Sequence, residues 1–525
     1  MKIVSKIYCV LLFIVLLFIF GCQHEKHNID RALEAIPSNS TVVTAFDLPQ
    51  LLDKANFEEI QKMEFYQYYM NKAQEENDVL ATAFANPENT GIDLDKNAYL
   101  AIELNPQNPE EIYMGLIFNL SDEEDFGALA QSLKHNDAIQ KRNYQFCSLD
   151  DNTIIAWNEK VGVVALGEGI IESDDIVESF FDSESNSEIS NNPNLIQLLN
   201  QKHDIASWVS TNALAKSKGA KILLNMIKIK PAAFEDNFIH ASMDFEQGKV
   251  TAAANYIFKD VLNEDLHLLI KDKVKTPFSS YIPSQNLNGS FALALDFEGI
   301  SQVLNKRPQV KAFANFFLKT YALSVDRIKN TFDGDLLMAT YTGNVNNRME
   351  GLFATKINNQ DSFEELMNIA EEKEWVTKTG KGRYRISPTL FKILTGFFPI
   401  EIGDAYDSQL IIKEGIAFLS SNIDLLDEIE AGPDADSSIQ IEDLSKIINQ
   451  NPLSLFLDFN ALKRIGISRV ESLSRLEFKS DKRTANFRLD MQEKEGNSLL
   501  TIFKAINTEF KKSLEQKQPV SQTKS

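Results

Sequence analysis

Apolar residues in this chain switch repeatedly from a strand-like run to helical spacing, and a short polar residue marks each switch. Val42-Val43-Thr44-Ala45-Phe46 stops at Asp47, and an apolar residue returns four positions on, at Leu51. The same pattern recurs at Val209-Ser210 with Leu214, at Leu295-Asp296 with Ile300, and at Leu457-Asp458 with Leu462. A strand passing straight into a helix produces it. The Asp or Ser is then the N-cap, whose side-chain oxygen accepts from a first-turn N–H that has no partner within the helix. Asp47 and Gln50 also have the spacing of a capping box.

Paired strands follow each switch. Residues 99–104 and 112–118 flank Asn105-Pro106-Gln107-Asn108-Pro109, and 336–341 and 349–354 flank Gly343-Asn344. Further on, 239–245 and 250–258 flank Gln247-Gly248, and 476–478 and 485–491 flank Ser480-Asp481. Strands joined by short turns imply antiparallel sheets. Residues 125–133 and 362–371 carry apolar positions at helical spacing. The predicted class is α+β, with antiparallel sheets and helices packed on one side.

Self-similarity organises the whole chain. Ile36-Pro37-Ser38 before the strand ending at Asp47 matches Ile282-Pro283-Ser284 before the strand ending at Asp296. Residues 95–101 match 333–339. Gly115-Leu116 with Phe126 matches Gly351-Leu352 with Phe363. Residues 154–166 match 410–419, and 198–201 match 447–450. The order holds throughout, so the chain reads as two tandem similar halves, 30–262 and 278–495. Between them, 263–277 is a charged connector, and 496–525 is a C-terminal helix with a frayed tail. The acidic, Ser- and Asn-rich stretches 172–194 and 424–438 are expected to be exposed loops or weak helices.

The N-terminus carries an address. Lys2 and Lys6 precede an uninterrupted apolar run, 7–20, too short to span a bilayer comfortably. Ile19-Phe20-Gly21-Cys22 resembles a bacterial lipobox, although Phe20 departs from the small residue usual at its place. The resemblance implies a signal peptide, 1–21, removed before Cys22, whose thiol and amine are then acylated. Several acyl chains anchor a protein durably. Residues 22–29 form a short polar tether. Gln23, which is not Asp, favours the outer membrane, and the mixed charge of Gln23-His24-Glu25-Lys26-His27 leaves the leaflet open.

Composition narrows the function. The chain has 525 residues, 43% of them hydrophobic, and a net charge of −22. These values suit a globular protein with substantial cores and exclude nucleic acid, which needs a clustered basic face. Cys9 lies in the signal, Cys22 is the lipid site, and Cys147 stands alone after Tyr144 and Phe146, as a small buried hydrophobe would.

Candidate chemistry is sparse. Asp47 and Asp296 recur at matching positions and suggest paired carboxylates for glycoside hydrolysis. Recurrent capping gives the same pattern, with Ser210 and Asp458 as further copies, and is the reading adopted. Asp93, Asp95 and Asn97 begin like a calcium loop, but Ala98 and Leu104 stand where Gly and Glu are needed. Asp174, Asp175, Glu178, Asp182 and Glu184 form a solvated acidic face. His24-Glu25-Lys26-His27 is one residue short of zinc-protease spacing, and His135, His203, His240 and His267 share no metal-ligand spacing. Gly167-Glu168-Gly169 and Gly380-Lys381-Gly382 are isolated pairs, the second a hairpin turn. Ser521 and Lys524 lie in the tail. Trp157, Trp208 and Trp375 can stack on sugars, but core is the commoner place for them.

As a set, the lipobox, the Ile-Pro-Ser opening before the strand ending in Asp47, and the doubled architecture resemble the large, uncharacterised lipoproteins of Bacteroidetes bacteria, a domain-of-unknown-function family. The resemblance implies an envelope protein and transfers no catalytic or binding residue. The expected function is a lipid-anchored, non-catalytic module, joined to a membrane through Cys22 and binding a protein or glycan, without cofactor or metal. The alternative is a hydrolase of envelope or dietary glycans that uses carboxylates from separate segments.

Overall fold

The computed structural model describes residues 30–517 except 77, 105–111, 134–137, 169, 171–173, 212–214, 216–223, 226–230, 260–263, 265–266, 284–285, 320–322, 344–348, 396–407, 433–440 and 465–470. The chain forms two compact units. Met1–Leu224, Phe234–Ile257 and Glu493–Ser525 make the first; Asn225–Ala233 and Phe258–Gln492 make the second.

In the first unit the strands are β1 (Val42–Phe46), β2 (Ala98–Leu104), β3 (Ile112–Asn119), β4 (Ile139–Gln140), β5 (Gln145–Asp150), β6 (Thr153–Trp157), β7 (Val161–Leu166), β8 (Ile205–Ser210), β9 (Phe238–Glu246) and β10 (Lys249–Ile257). They pair antiparallel in the order β10-β9-β8-β1-β2-β3-β7-β6-β5-β4. The second unit has β11 (Leu287–Ala294), β12 (Phe332–Thr342), β13 (Met349–Ile357), β14 (Val376–Gly380), β15 (Arg383–Ile386), β16 (Gln409–Lys413), β17 (Ile416–Ser420), β18 (Leu453–Asp458), β19 (Leu473–Ser480) and β20 (Thr484–Met491). Their order is β20-β19-β18-β11-β12-β13-β17-β16-β15-β14, again antiparallel. Strand for strand it repeats the first. The protein is α+β.

Helices cover both faces of each sheet, not one. In the first unit these are α1 (Arg31–Glu34), α2 (Leu48–Ala55), α3 (Phe57–Gln61), α4 (Glu64–Glu76), α5 (Asp78–Ala85), α6 (Glu123–Ser132), α7 (Asp174–Ser179), α8 (Ser183–Ser190) and α9 (Pro193–Leu199). Leu116 and Phe118 of β3 pack with Leu48, Phe65 and Phe126 on one face, whereas Ile117 between them packs with Ile36, Phe180 and Leu195 on the other. The second unit has α10 (Phe297–Asn305), α11 (Pro308–Lys319), α12 (Val325–Thr331), α13 (Gln360–Glu372), α14 (Pro388–Thr395), α15 (Ile423–Ala431), α16 (Ile441–Gln450) and α17 (Phe459–Arg464). There Phe418 packs with Leu426 and Ile448, and its neighbour Leu419 packs with Phe363 and Phe391 on the opposite face. Every residue of β6 and β17 is buried. Such unbroken apolar runs belong to strands covered on both sides, the physical reason one-sided packing fails.

Four segments depart from their expected places. The acidic stretches are packed helices: Val177, Phe180 and Ile189 of the first, and Leu425, Leu426 and Ile429 of the second, are buried against their sheets. Burying each large apolar side chain contributes about 1.5–3 kcal/mol, enough to hold an acidic helix down by its apolar stripe. The C-terminal helix α18 (Ser498–Lys517) belongs to the first unit, where Leu500 and Phe503 enter the core and Phe503 stacks on Phe65. Gly248 at the β9–β10 turn receives this return. Its φ is +66°, and a Cβ there would lie 2.6 Å from the Lys494 carbonyl oxygen.

The fourth is the supposed connector, which completes the second unit. Asp335 on β12 has no exposed surface. It accepts from Lys271 Nζ at 2.9 Å, from the N–H groups of Lys275 and Thr276 at 2.8 and 2.7 Å, and from Thr276 Oγ1 at 2.8 Å. Asp333 also meets Lys271. Burial alone raises the Asp335 carboxyl, but these donors outweigh it and hold the group below the usual carboxylate range. For Lys271, burial opposes the charge, and the two aspartates prevail and raise it. A carboxylate whose folded pKa is depressed stabilises the fold above its unfolded value, and that stabilisation is lost as pH falls through the folded value. Acid unfolding of the second unit should therefore steepen below about pH 4. A fragment 278–492, which lacks Lys271, Lys275 and Thr276, should be less stable than 258–492 by about 3 kcal/mol in urea denaturation at neutral pH. Equal stability would show that Asp335 does not need these donors.

Candidate functional site

Where β1 gives way to α2, the first unit opens a cavity of about 560 Å³. Ala45 of β1 and Ala206 of β8 are cross-strand partners and form its floor. Pro49 and Leu199 add apolar wall, and Asp47, Gln50, Asn97, Lys202 and His203 supply the polar groups. Small residues on adjoining strands leave the space that larger ones would fill.

Asp47 caps α2, as its sequence position predicts. Its Oδ1 accepts from Gln50 N–H at 3.0 Å and its Oδ2 from Gln50 Nε2 at 2.6 Å. The reciprocal half of a capping box does not form. Asp47 N–H donates instead to the Asp204 carbonyl at 2.9 Å, so the Gln50 amide turns onto the Asp47 carboxylate. Both carboxylate oxygens are thereby engaged.

Asp204 fixes the opposite wall. Its side chain is fully buried and accepts from Lys54 Nζ at 2.7 Å on both oxygens and from Phe245 N–H at 2.6 Å. Its own N–H donates to Asp244 Oδ1 at 3.1 Å, and Asp244 Oδ2 lies 2.8 Å from His203 Nδ1. The imidazole is therefore held by a carboxylate on one side, beside the cavity. Lys202 turns the chain from α9 into β8 at φ +53°, a left-handed conformation uncommon for a side-chain-bearing residue. This loop is Asn200–Asp204, whereas α16 reaches β18 through Asn451-Pro452 alone. The longer loop is what brings Lys202, His203 and Asp204 to the first unit.

Behind the cavity, Asn97 Nδ2 reaches Tyr99 Oη at 3.4 Å, and Tyr99 Oη meets Asp30. Asn119 Nδ2 bonds Asp30 Oδ1 at 2.9 Å and the Asn97 carbonyl at 3.3 Å. Burial, then the Asp30 charge, raises the Tyr99 hydroxyl well above its usual range, so it stays a donor. The first described residue, Asp30, is thus tied into the wall of the site.

The other sequence candidates fall elsewhere. Asp296 caps α10 through Gly299 N–H at 2.9 Å, and Asp458 caps α17 through Asn460 N–H at 2.8 Å. Asp47 and Asp296 lie in different units, each at its own helix terminus. After Ser210, Thr211 is helical, and residues 212–214, including the expected apolar Leu214, lie outside the described residues. Asp93 caps a turn through Asp95 N–H at 3.1 Å, and burial raises its carboxyl. Among the described residues no group of three or more His, Cys, Asp or Glu side chains is placed to hold a metal ion. His240 is buried opposite Trp208 on β9, and burial lowers its imidazole. Trp157 and Trp208 are buried and unavailable for stacking on a sugar; Trp375 is half-buried with Lys373 over its ring. Cys147 sits in the first unit's core. Gly380 and Gly382 bracket the β14–β15 turn. Cys22, His24, His27, His135, Gly169, Ser521 and Lys524 lie outside the described residues. No described helix is long and apolar enough to cross a membrane.

A family model described as Domain of unknown function (DUF4836) matches residues 33–415. The chain belongs to the DUF4836 family. The match runs from α1 to the turn between β16 and β17, so it contains every residue that lines the cavity. No curated protein matches the chain. Among solved structures it is similar to TP0453 in its crystal form I, with 9% identity over 45% of this chain and 82% of that one. The TM-score of 0.24 is too low to carry a conclusion about fold or function.

Two substitutions separate support from contact at the site. Asp47→Ala removes a cap and should cost about 1 kcal/mol. Lys54→Met strands a buried carboxylate and should cost about 3–5 kcal/mol. Chemical denaturation measures both, and a Lys54→Met loss no larger than that of Asp47→Ala would remove Asp204 from its supporting role.

Proposed function

We propose that this protein is a lipid-anchored cell-envelope module that binds a partner non-catalytically through the cavity beside Asp47. The observation that carries this reading is the cavity's chemistry. Gln50, Asn97, Lys202 and His203 converge on it, while its one carboxylate is already satisfied by the Gln50 donors. Such a set supplies hydrogen bonds and positive charge for recognition. A glycosidase needs two free carboxylates flanking one bond, and Asp47 is committed to its helix.

The anchor supports the setting. The string ending at Cys22 resembles a lipobox, as in Bacteroidetes envelope lipoproteins, and Gln23 suits outer-membrane delivery. Cys22 precedes Asp30 by eight residues. At full extension that tether spans about 28 Å. Asp30 is bonded to Tyr99 and Asn119, which in turn bond Asn97 of the cavity wall. An acylated Cys22 would thus keep the cavity close to the membrane, where an envelope protein or glycan is the accessible partner. The matching strand orders of the two units fit a tandem duplication in which the site belongs to the first copy.

Cys22→Ala should move the protein from the membrane fraction to the soluble fraction, with an unacylated N-terminus by mass spectrometry. Detergent-dependent attachment that persists would refute the anchor. The lipid-free chain, used as bait in envelope extracts, should retain a partner that Lys202→Glu with His203→Ala releases. Undiminished capture by that double variant would move binding away from the cavity.

A further inference from the structure

We propose that α11 of the second unit docks on an anionic lipid bilayer, with three phenylalanine rings entering the bilayer's interfacial layer. This contact is separate from the cavity beside Asp47 and from any acyl group on Cys22.

Helix α11 reverses the usual arrangement of a surface helix, which turns its apolar stripe inward. Not one of its residues is buried. Phe313, Phe316 and Phe317 are 54%, 73% and 57% exposed, and Phe316 is the most exposed large apolar side chain among the described residues. Positions three and four apart share one face of a helix. The rings accordingly meet one another. Phe313 and Phe317 have centroids 4.8 Å apart, and Phe316 and Phe317 6.0 Å, both edge-on. A contiguous apolar cluster left facing outward marks an interaction surface.

The opposite side of α11 holds it in place. It packs against α10 and α12. Lys311 Nζ donates to Asn305 Oδ1 at 3.1 Å and to Asp326 Oδ2 at 3.1 Å, and Asn315 Oδ1 accepts from Val325 N–H at 2.9 Å. Ala314 and Leu318 are half-buried. The helix is thus fixed without help from the three rings, which remain turned outward.

Charge identifies the occupant. Residues 297–331, which contain α10, α11 and α12, carry six Lys and Arg against two Asp and Glu, in a chain of net charge −22. Lys306 and Arg307 precede α11 and Lys319 ends it, so positive charge brackets the ring cluster. Apolar rings between cations match the two layers of a bilayer surface, acyl chains beneath anionic headgroups. A second copy of the chain would bring the same cations together and be repelled. The helix is about 18 Å long, well short of the roughly 30 Å of hydrocarbon that a crossing needs, so it lies in the surface and does not traverse it.

Vesicle binding tests the proposal. The chain from residue 23 onward keeps every described residue and lacks both the apolar run 7–20 and Cys22, so the protein surface alone is read. Vesicles of phosphatidylethanolamine and phosphatidylglycerol in equal parts should sediment it, and phosphatidylcholine vesicles about tenfold less well, with binding weakened by added salt. The combined variant Phe313→Ser, Phe316→Ser, Phe317→Ser should bind the anionic vesicles at least about tenfold more weakly, with its denaturation midpoint unchanged. Phe316→Trp should be quenched by brominated acyl chains in those vesicles, which attraction between charges alone would not produce. That reading stands even if the triple variant folds poorly. Absence of sedimentation with anionic vesicles, binding indifferent to the triple replacement, or a Phe316→Trp signal untouched by brominated lipid overturns the proposal. A dimer that the triple replacement dissolves, with no vesicle binding, gives the face to a second copy and overturns it as well. Partner capture through Lys202 and His203 is read separately, so failure here leaves the cavity reading intact.

Discussion

A carboxylate cut off from water must meet donors or give up its charge, and each unit of this protein contains one such group. Asp204 in the first unit and Asp335 in the second have no exposed surface, and each is answered by one lysine and by backbone N–H groups. In the first unit this demand fixes where α2 stands against β8 and β9, since Lys54 must reach Asp204 from the last turn of α2. The cavity beside Asp47 follows from that placement. In the second unit the same demand draws 271–276 onto β12.

The two ten-strand arrangements share one order but differ in the loop before β8 and β18. Five residues link α9 to β8, and two link α16 to β18. The Asp204 carbonyl takes the Asp47 N–H in the first unit, and in the second the Asp296 N–H goes to Leu269. The first unit's corner is lined with Gln50, Asn97, Lys202 and His203.

Much of the fold was legible. The Asp47, Asp296 and Asp458 caps, the hairpins at Gln247-Gly248 and Gly380-Lys381-Gly382, and the antiparallel class follow from local chemistry that tertiary packing leaves intact. The two-sided burial of Ile154-Ile155-Ala156 and of Ile416-Ala417-Phe418-Leu419 was also present, as unbroken apolar runs. The acidic helices were misread because average composition hides an apolar stripe such as Val177, Phe180 and Ile189. The site was mostly hidden. His203 and Asp244 are 41 residues apart, as are Asp204 and Phe245, and only strand pairing brings them together. Gln50 alone announced itself, through its spacing from Asp47, and even there the amide found a different partner.

The first unit's cavity is the proposed place of contact with a partner at a membrane. Hydrogen–deuterium exchange on the membrane-bound chain, with and without envelope extract, addresses that directly. The account requires slowed exchange at 47–50, at Asn97 and at 199–206, with the second unit unchanged. Protection confined to other surfaces, or none at any extract concentration, would contradict it.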